Sequence, residues 1–186
     1  MKLIDLKKLA QEHKIKGRSK MNKAELIAAL ATVSSPLIVE RAATYTEVTG
    51  NILDYVAPYY IAHQCNTQSK RTAGLSAHIF NKYPAANDYA RSTQGTVGTI
   101  HVIDHVINMF AQLKPGKPAG SLDNVAKRIE YFSSCLQAIA TQLPKDATVV
   151  FPYGVGCGMA GGDWSTYEAL LKEFSKTINV IVVKLP

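Results

Sequence analysis

The chain has 186 residues, 47% of them apolar and 19% charged, which excludes a disordered or fibrous protein and suits one main domain with a small appendage. No apolar run approaches the ~18 residues of a bilayer span. The start, Met1-Lys-Leu-Ile-Asp-Leu-Lys-Lys, lacks the apolar stretch of a secretory signal, and three widely spaced cysteines (Cys65, Cys135, Cys157) argue against a disulfide scaffold, so an intracellular protein with no membrane partner is expected. Residues 1–30 hold eight Lys or Arg against three acids, so +5 of the net +7 lies in the first sixth of the chain. A compact basic unit of this kind implies a polyanion partner, and the rest reads as an ordinary near-neutral domain.

In chain order, Leu3, Ile4, Leu6 and Leu9 recur at helical spacing through about residue 13. Ile15 to Met21 reads as a turn. Asn22 ahead of Lys-Ala-Glu25 has the form of a capping box, and Leu26, Ile27 and Leu30 give the second helix its apolar face. Residues 33–36, closed by Pro36, read as a linker between a unit at 1–32 and a domain at 37–186. Strands are expected at Leu37–Ala43, Tyr59–Cys65, Gly98–Ile103, His105–Ala111, Thr148–Tyr153 and Asn179–Leu185, and helices over Ala73–Lys82, Leu122–Leu143 and Trp164–Lys176. This order predicts an α/β domain with helices on both faces of a mixed sheet, and any ligand at the carboxyl ends of the strands.

Five of the twelve glycines fall between Gly154 and Gly162, between a β-branched strand and a helix. Such a loop lets backbone N–H groups close on an anion, and the helix N-terminus adds a favourable dipole. It is neither a Walker loop nor a GxGxxG turn. A second strand-to-helix loop, His63-Gln-Cys-Asn66-Thr-Gln-Ser-Lys-Arg71-Thr-Ala-Gly74, offers Asn66 to a sugar hydroxyl and Arg71 to an anion. Thr49-Gly50-Asn51-Ile52-Leu53 is a short polar turn. His101-x-x-Asp104-His105 has metal-ligand residue types but no evident third ligand, so neither metal nor cofactor is expected.

These three pieces, in this order, resemble the macro domain, an ADP-ribose-binding three-layer α/β/α sandwich, and within it the ADP-ribose-1″-phosphate phosphatase-like branch. The resemblance spans about Leu37 to Leu185. It implies that Gly50, Asn51 and Ile52 meet adenine, that Ala73, Gly74 and Leu75 face the pyrophosphate and distal ribose, and that Gly154, Val155, Gly156, Cys157, Gly158 and Met159 wrap the phosphates from the other side. Asn51 stands where the family usually has Asp. Arg71-Thr-Ala73-Gly74 replaces the usual Met-Gly-x-Gly, with Arg71 supplying charge. The resemblance also implies hydrolysis of a terminal phosphate or an ADP-ribosyl ester, with His63 as the catalytic histidine. The usual second-loop Asp positions fall on Gly156 or near Ala160, so Asp163 is the remaining acid candidate, with a helix N-cap as its alternative role. The other readings are a non-catalytic ADP-ribose reader tethered near nucleic acid by residues 1–30, and a nucleic-acid-binding protein whose macro-like domain has lost its ligand.

Leu6-Lys-Lys-Leu9, Gly17 and Lys23-Ala-Glu-Leu-Ile27 resemble the helix–turn–helix unit of SAP-type modules and of the N-terminus of transcription terminator Rho. That resemblance implies nucleic acid as a partner, with Lys16, Arg18, Lys20 and Lys23 as phosphate contacts. A monomer is expected.

Overall fold

The computed structural model describes residues 3–12, 14–34, 43–91 and 95–186, and the chain divides into two compact units, 1–41 and 42–186. In the first, α1 (Leu3–Glu12) and α2 (Lys23–Ser34) enclose a small core of Leu6, Ala10, Ile15, Leu26 and Leu30. The capping box forms as expected. Glu25 N donates to Asn22 Oδ1 at 3.0 Å, and Asn22 N donates to Glu25 Oε2 at 2.7 Å. Ile27 departs from its expected place on the apolar face and lies 51% exposed, because it sits one residue, a rotation of about 100°, past Leu26. α2 also runs on through Val33 and Ser34, the first half of the expected linker.

The second unit is built on a six-stranded sheet of order β1-β6-β5-β2-β4-β3, comprising β1 (Tyr45–Thr49), β2 (Tyr59–Asn66), β3 (Ile100–Ile103), β4 (Val106–Gln112), β5 (Thr148–Pro152) and β6 (Asn179–Lys184). Every pairing is parallel except β3 with β4. All seven residues of β4 are buried, as a parallel strand covered on both sides requires. One sheet face packs Ile61, Cys65, Val106 and Phe110 beneath Ile79 and Phe80 of α3 (Leu75–Lys82). The other packs Ala62, Ile107, Met109 and Phe151 against Phe132 and Ile139 of α4 (Val125–Gln142) and Tyr167 and Leu171 of α5 (Trp164–Phe174). The architecture is therefore the expected α/β/α sandwich on a mixed sheet.

The strand expected at Leu37–Ala43 lies, apart from Ala43, outside the described residues. β1 is an edge strand whose Thr46, Glu47 and Thr49 are exposed, so its sequence carries little apolar signal. α4 starts later than expected, at Val125, because Asn124 Oδ1 accepts from Lys127 N at 2.9 Å and caps it there.

Replacing Asn22 by Ala should cost the first unit about 1 kcal/mol. Amide exchange at Leu26 and Leu30 in the full chain should accelerate accordingly, while exchange in β4 stays unchanged.

Candidate functional site

A cleft of about 370 Å³ opens where the chain leaves the carboxyl ends of β2 and β5. Both predicted loops line it. His63, Asn66, Arg71, Ala73, Gly74 and Leu75 come from one side, and Gly154, Val155, Gly156, Gly158 and Met159 from the other. Arg71, exposed at the rim, is the one Lys, Arg, Asp or Glu side chain among the described residues that lines the cleft.

The first loop is shaped by Asn66. Its Oδ1 accepts from Gln68 N at 3.1 Å and Ser69 N at 2.7 Å, while its backbone N and Nδ2 both donate to Tyr89 Oη at 3.0 Å. The amide is thus largely committed to folding the loop, which leaves it little capacity for the sugar hydroxyl expected from sequence. At the loop's end Gly74 has φ +55° and ψ −137°, and there the chain turns into α3. α3 therefore starts two residues later than the sequence pattern indicates, with Leu75 and Ser76 of its first turn lining the cleft. A Cβ on Gly74 would stand 3.4 Å from Met159 Sδ, so the two loops meet at that point.

The second loop is a run of tight turns. Val155 N donates to Pro152 O at 3.1 Å, Cys157 N to Gly154 O at 2.9 Å, and Gly162 N to Gly156 O at 2.9 Å. Among the described residues no acceptor takes the N–H groups of Gly156, Gly158 or Met159. Gly156 is required twice over: its φ is +75°, and a Cβ would lie 2.5 Å from the buried Tyr167 ring.

Arg128, fully buried at 1% exposure, ties the cleft walls together. Nε and Nη2 donate to the two oxygens of Asp123 at 2.9 and 2.6 Å, Nη1 donates to Gly116 O at 2.7 Å and Ala160 O at 2.9 Å, and Nη2 also donates to Lys114 O at 3.1 Å. Asp123 in turn accepts from Leu113 N and Lys114 N, each at 3.1 Å. Burial alone raises the Asp123 pKa, but Arg128 and the two backbone N–H groups outweigh it and hold the carboxyl below its ordinary value.

Solved structures share this architecture. A protein of unknown function from Bacteroides thetaiotaomicron superposes with a TM-score of 0.57 at 24% identity, over 77% of this chain and 99% of its own. The macrodomain of Mycobacterium tuberculosis DarG gives 0.59 at 17% identity over 76% and 97%, and that of Thermus aquaticus DarG 0.58 at 18% over 77% and 99%. The larger unit has the macrodomain fold. Residues 1–32 match the family model of the Rho termination factor N-terminal domain. A comparison with curated proteins gives no match.

Within this unit the remaining candidates separate. His63 is buried on β2 with Nε2 2.6 Å from Asn108 Oδ1. Burial pushes its pKa down to about 4, against the opposing pull of Asn108 and Asp88, so the ring is neutral at pH 7. Asp163 does not join it. The structure places Asp163 in the cap role, accepting from Thr166 N at 3.0 Å, Thr166 Oγ1 at 2.9 Å and Ser165 Oγ at 2.5 Å, on a different, small cavity between α4 and α5. Cys157 does not line the cleft. Its Sγ donates to Val155 O at 3.4 Å, and burial followed by the charge of Asp163 pushes its pKa up to about 11, which removes it as a nucleophile at neutral pH.

Gly50 and Asn51 line a separate, open cavity, Asn51 Oδ1 accepts from Leu53 N at 3.0 Å, and Ile52 is buried in the core. Among the described residues no three His, Cys, Asp or Glu are grouped to hold a metal, and no helix is long and apolar enough to cross a membrane. In the first unit Lys16, Lys20 and Lys23 are exposed, while Arg18 Nη1 donates to Ile15 O at 3.3 Å. Sequence reasoning missed Arg128, Asp123 and Asn108, which lie inside helical or strand patterns with nothing local to single them out.

Truncating Arg128 to Met should destabilise the larger unit by about 3–5 kcal/mol, because Asp123 would remain buried and unpaired. Urea unfolding of the full chain checks this. The same experiment across pH should find stability falling from about pH 6.5 toward 4, as the unfolded chain's imidazole takes a proton that buried His63 refuses. His63→Gln should flatten that limb and leave the loss below about pH 4, where the unfolded chain's Asp123 takes a proton that the Arg128-paired carboxylate resists.

Proposed function

We propose that the macrodomain binds ADP-ribose or an ADP-ribose derivative in the cleft and hydrolyses it, removing a terminal phosphate or an ADP-ribosyl ester. The observation that carries this reading is the pairing of two strand-to-helix loops across one cleft, with free N–H groups on the second, the start of α3 on the first, and Arg71 as the single charge. That is an anion cradle built mainly from backbone donors, sized for a small organic ligand. His63, neutral and at the cleft's inner end, would take the proton from an attacking water. In the phosphatase case the water oxygen bonds to phosphorus, the bond from phosphorus to the ribose oxygen breaks, and that oxygen leaves as a hydroxyl with a proton from solvent.

One observation favours a second reading, a reader module without turnover: among the described residues no carboxylate lines the cleft. In that case the basic turn of the first unit, with Lys16, Arg18, Lys20 and Lys23, would hold the module near nucleic acid.

Calorimetric titration of the full chain with ADP-ribose, with AMP and ribose 5-phosphate as controls, tests the binding. Saturation at about 10 μM or tighter is expected, weakened about tenfold or more in Arg71→Ala. No heat with ADP-ribose would overturn both readings. Turnover of ADP-ribose-1″-phosphate that falls to background in His63→Ala supports hydrolysis, and equal background rates in both proteins leave the reader.

A further inference from the structure

Three polar side chains stand in one row across an otherwise apolar sheet face. His63 on β2 and His101 on β3 are both register partners of Asn108 on β4. The row lies on the face that holds Ile61, Cys65, Val106 and Phe110, and the His63 ring meets Phe80 edge-to-face at 5.2 Å. Asn108 is fully buried, as is Asp88, which approaches from a 3₁₀ turn, and polar atoms at that depth need partners.

The partners fix the row's hydrogens. Asn108 Nδ2 donates to Ala86 O at 2.7 Å and to Asp88 Oδ2 at 2.6 Å. A backbone carbonyl can only accept, so Ala86 decides which end of the Asn108 amide is nitrogen. The other end, Oδ1, also only accepts, and it lies 2.6 Å from His63 Nε2. That nitrogen must therefore carry a hydrogen. Asp88 is braced from outside by His101 Nδ1 at 3.0 Å on Oδ2 and Arg91 Nε at 3.3 Å on Oδ1. The remaining neighbour on β2 itself is Cys65, whose Sγ is 3.7 Å from each His63 ring nitrogen.

We propose that Asn108, aimed by the Ala86 carbonyl and Asp88, is a positioning residue that holds His63 as the Nε2–H tautomer and leaves Nδ1, beside the Cys65 thiol, as the ring's acceptor toward the bound molecule. This rests on the reading that His63 works on a ligand in the cleft, and it specifies what the ligand presents there. An unprotonated ring nitrogen accepts from a hydroxyl, a water or a thiol and repels an anionic oxygen, so a ligand O–H that reaches Nδ1 takes the place of the Cys65 thiol. Phosphate recognition then belongs to Arg71 and the loop N–H groups, and the group beside His63 is an O–H donor.

Long-range proton–nitrogen NMR on the full chain labelled with ¹⁵N-histidine reads the tautomer directly, with His63→Gln to assign the signal. The wild type should give a single Nε2–H tautomer between about pH 5 and 8. Asn108→Ala should give mixed tautomers and about tenfold weaker binding of ADP-ribose. A wild-type Nδ1–H tautomer, or an Asn108→Ala protein with unchanged ring signals and unchanged affinity, overturns the inference. If Asn108→Ala fails to fold, the wild-type spectrum alone decides. Absence of ADP-ribose binding by the wild type would overturn the functional reading, and the ring signals would still decide the tautomer.

Discussion

A guanidinium cut off from water needs an acceptor for each of its five N–H groups, and Arg128 finds all five without leaving its own neighbourhood. Two are oxygens of one carboxylate, and three are carbonyls of chain segments that would otherwise be loops at the cleft. Asp123 closes the arrangement by accepting from two backbone N–H groups as well. The pair is therefore less an isolated ion pair than a rivet. It fixes the 114–116 segment and Ala160 to the start of α4, and the opposite wall of the cleft is fixed by Asn66 and Tyr89. A site that recognises its ligand through backbone donors needs such support, because a loop that is free to move cannot hold its N–H groups in a fixed direction.

The two sheet faces divide the labour. The face toward α4 and α5 carries the larger cluster of buried apolar residues. The face toward α3 admits the His63–Asn108–Asp88 chain and surrounds it with aromatic rings. Polar groups there cannot exchange partners with water, so their directions are set by the fold. The same burial keeps His63 uncharged and gives the cleft a chemistry of neutral acceptors and backbone donors, with a single guanidinium at the rim.

Much of this was legible in the sequence. The capping box at Asn22, the buried strands and the glycine loop after β5 announce themselves through local rules, and both loops that line the cleft were marked by residue type. Three things were not legible. β1 is half exposed and hides its period. Asp163 satisfies the requirements of a catalytic acid and of a helix cap equally well on paper, and only the hydrogen bonds from Ser165 and Thr166 distinguish them. Arg128 and Asn108 owe their importance to partners 12 to 45 positions away in the chain, and no window of sequence contains that information.

The strand order has a further consequence, for how the sheet is assembled. β2, β4 and β5 are neighbours and lie within residues 59–152, so the middle of the sheet can close while the last helix and strand are still being made. β1 is different: its partner is β6, and Thr44 meets Asn179 across 135 positions. The first described strand of this unit thus pairs only with the last one. That pairing joins the two ends of the unit and closes a loop of about 135 residues, so its entropic cost is the largest among the sheet's pairings. A segment that must wait for residues 180–184 to be made gains from staying soluble meanwhile, and the exposed Thr46, Glu47 and Thr49 suit that better than an apolar run would.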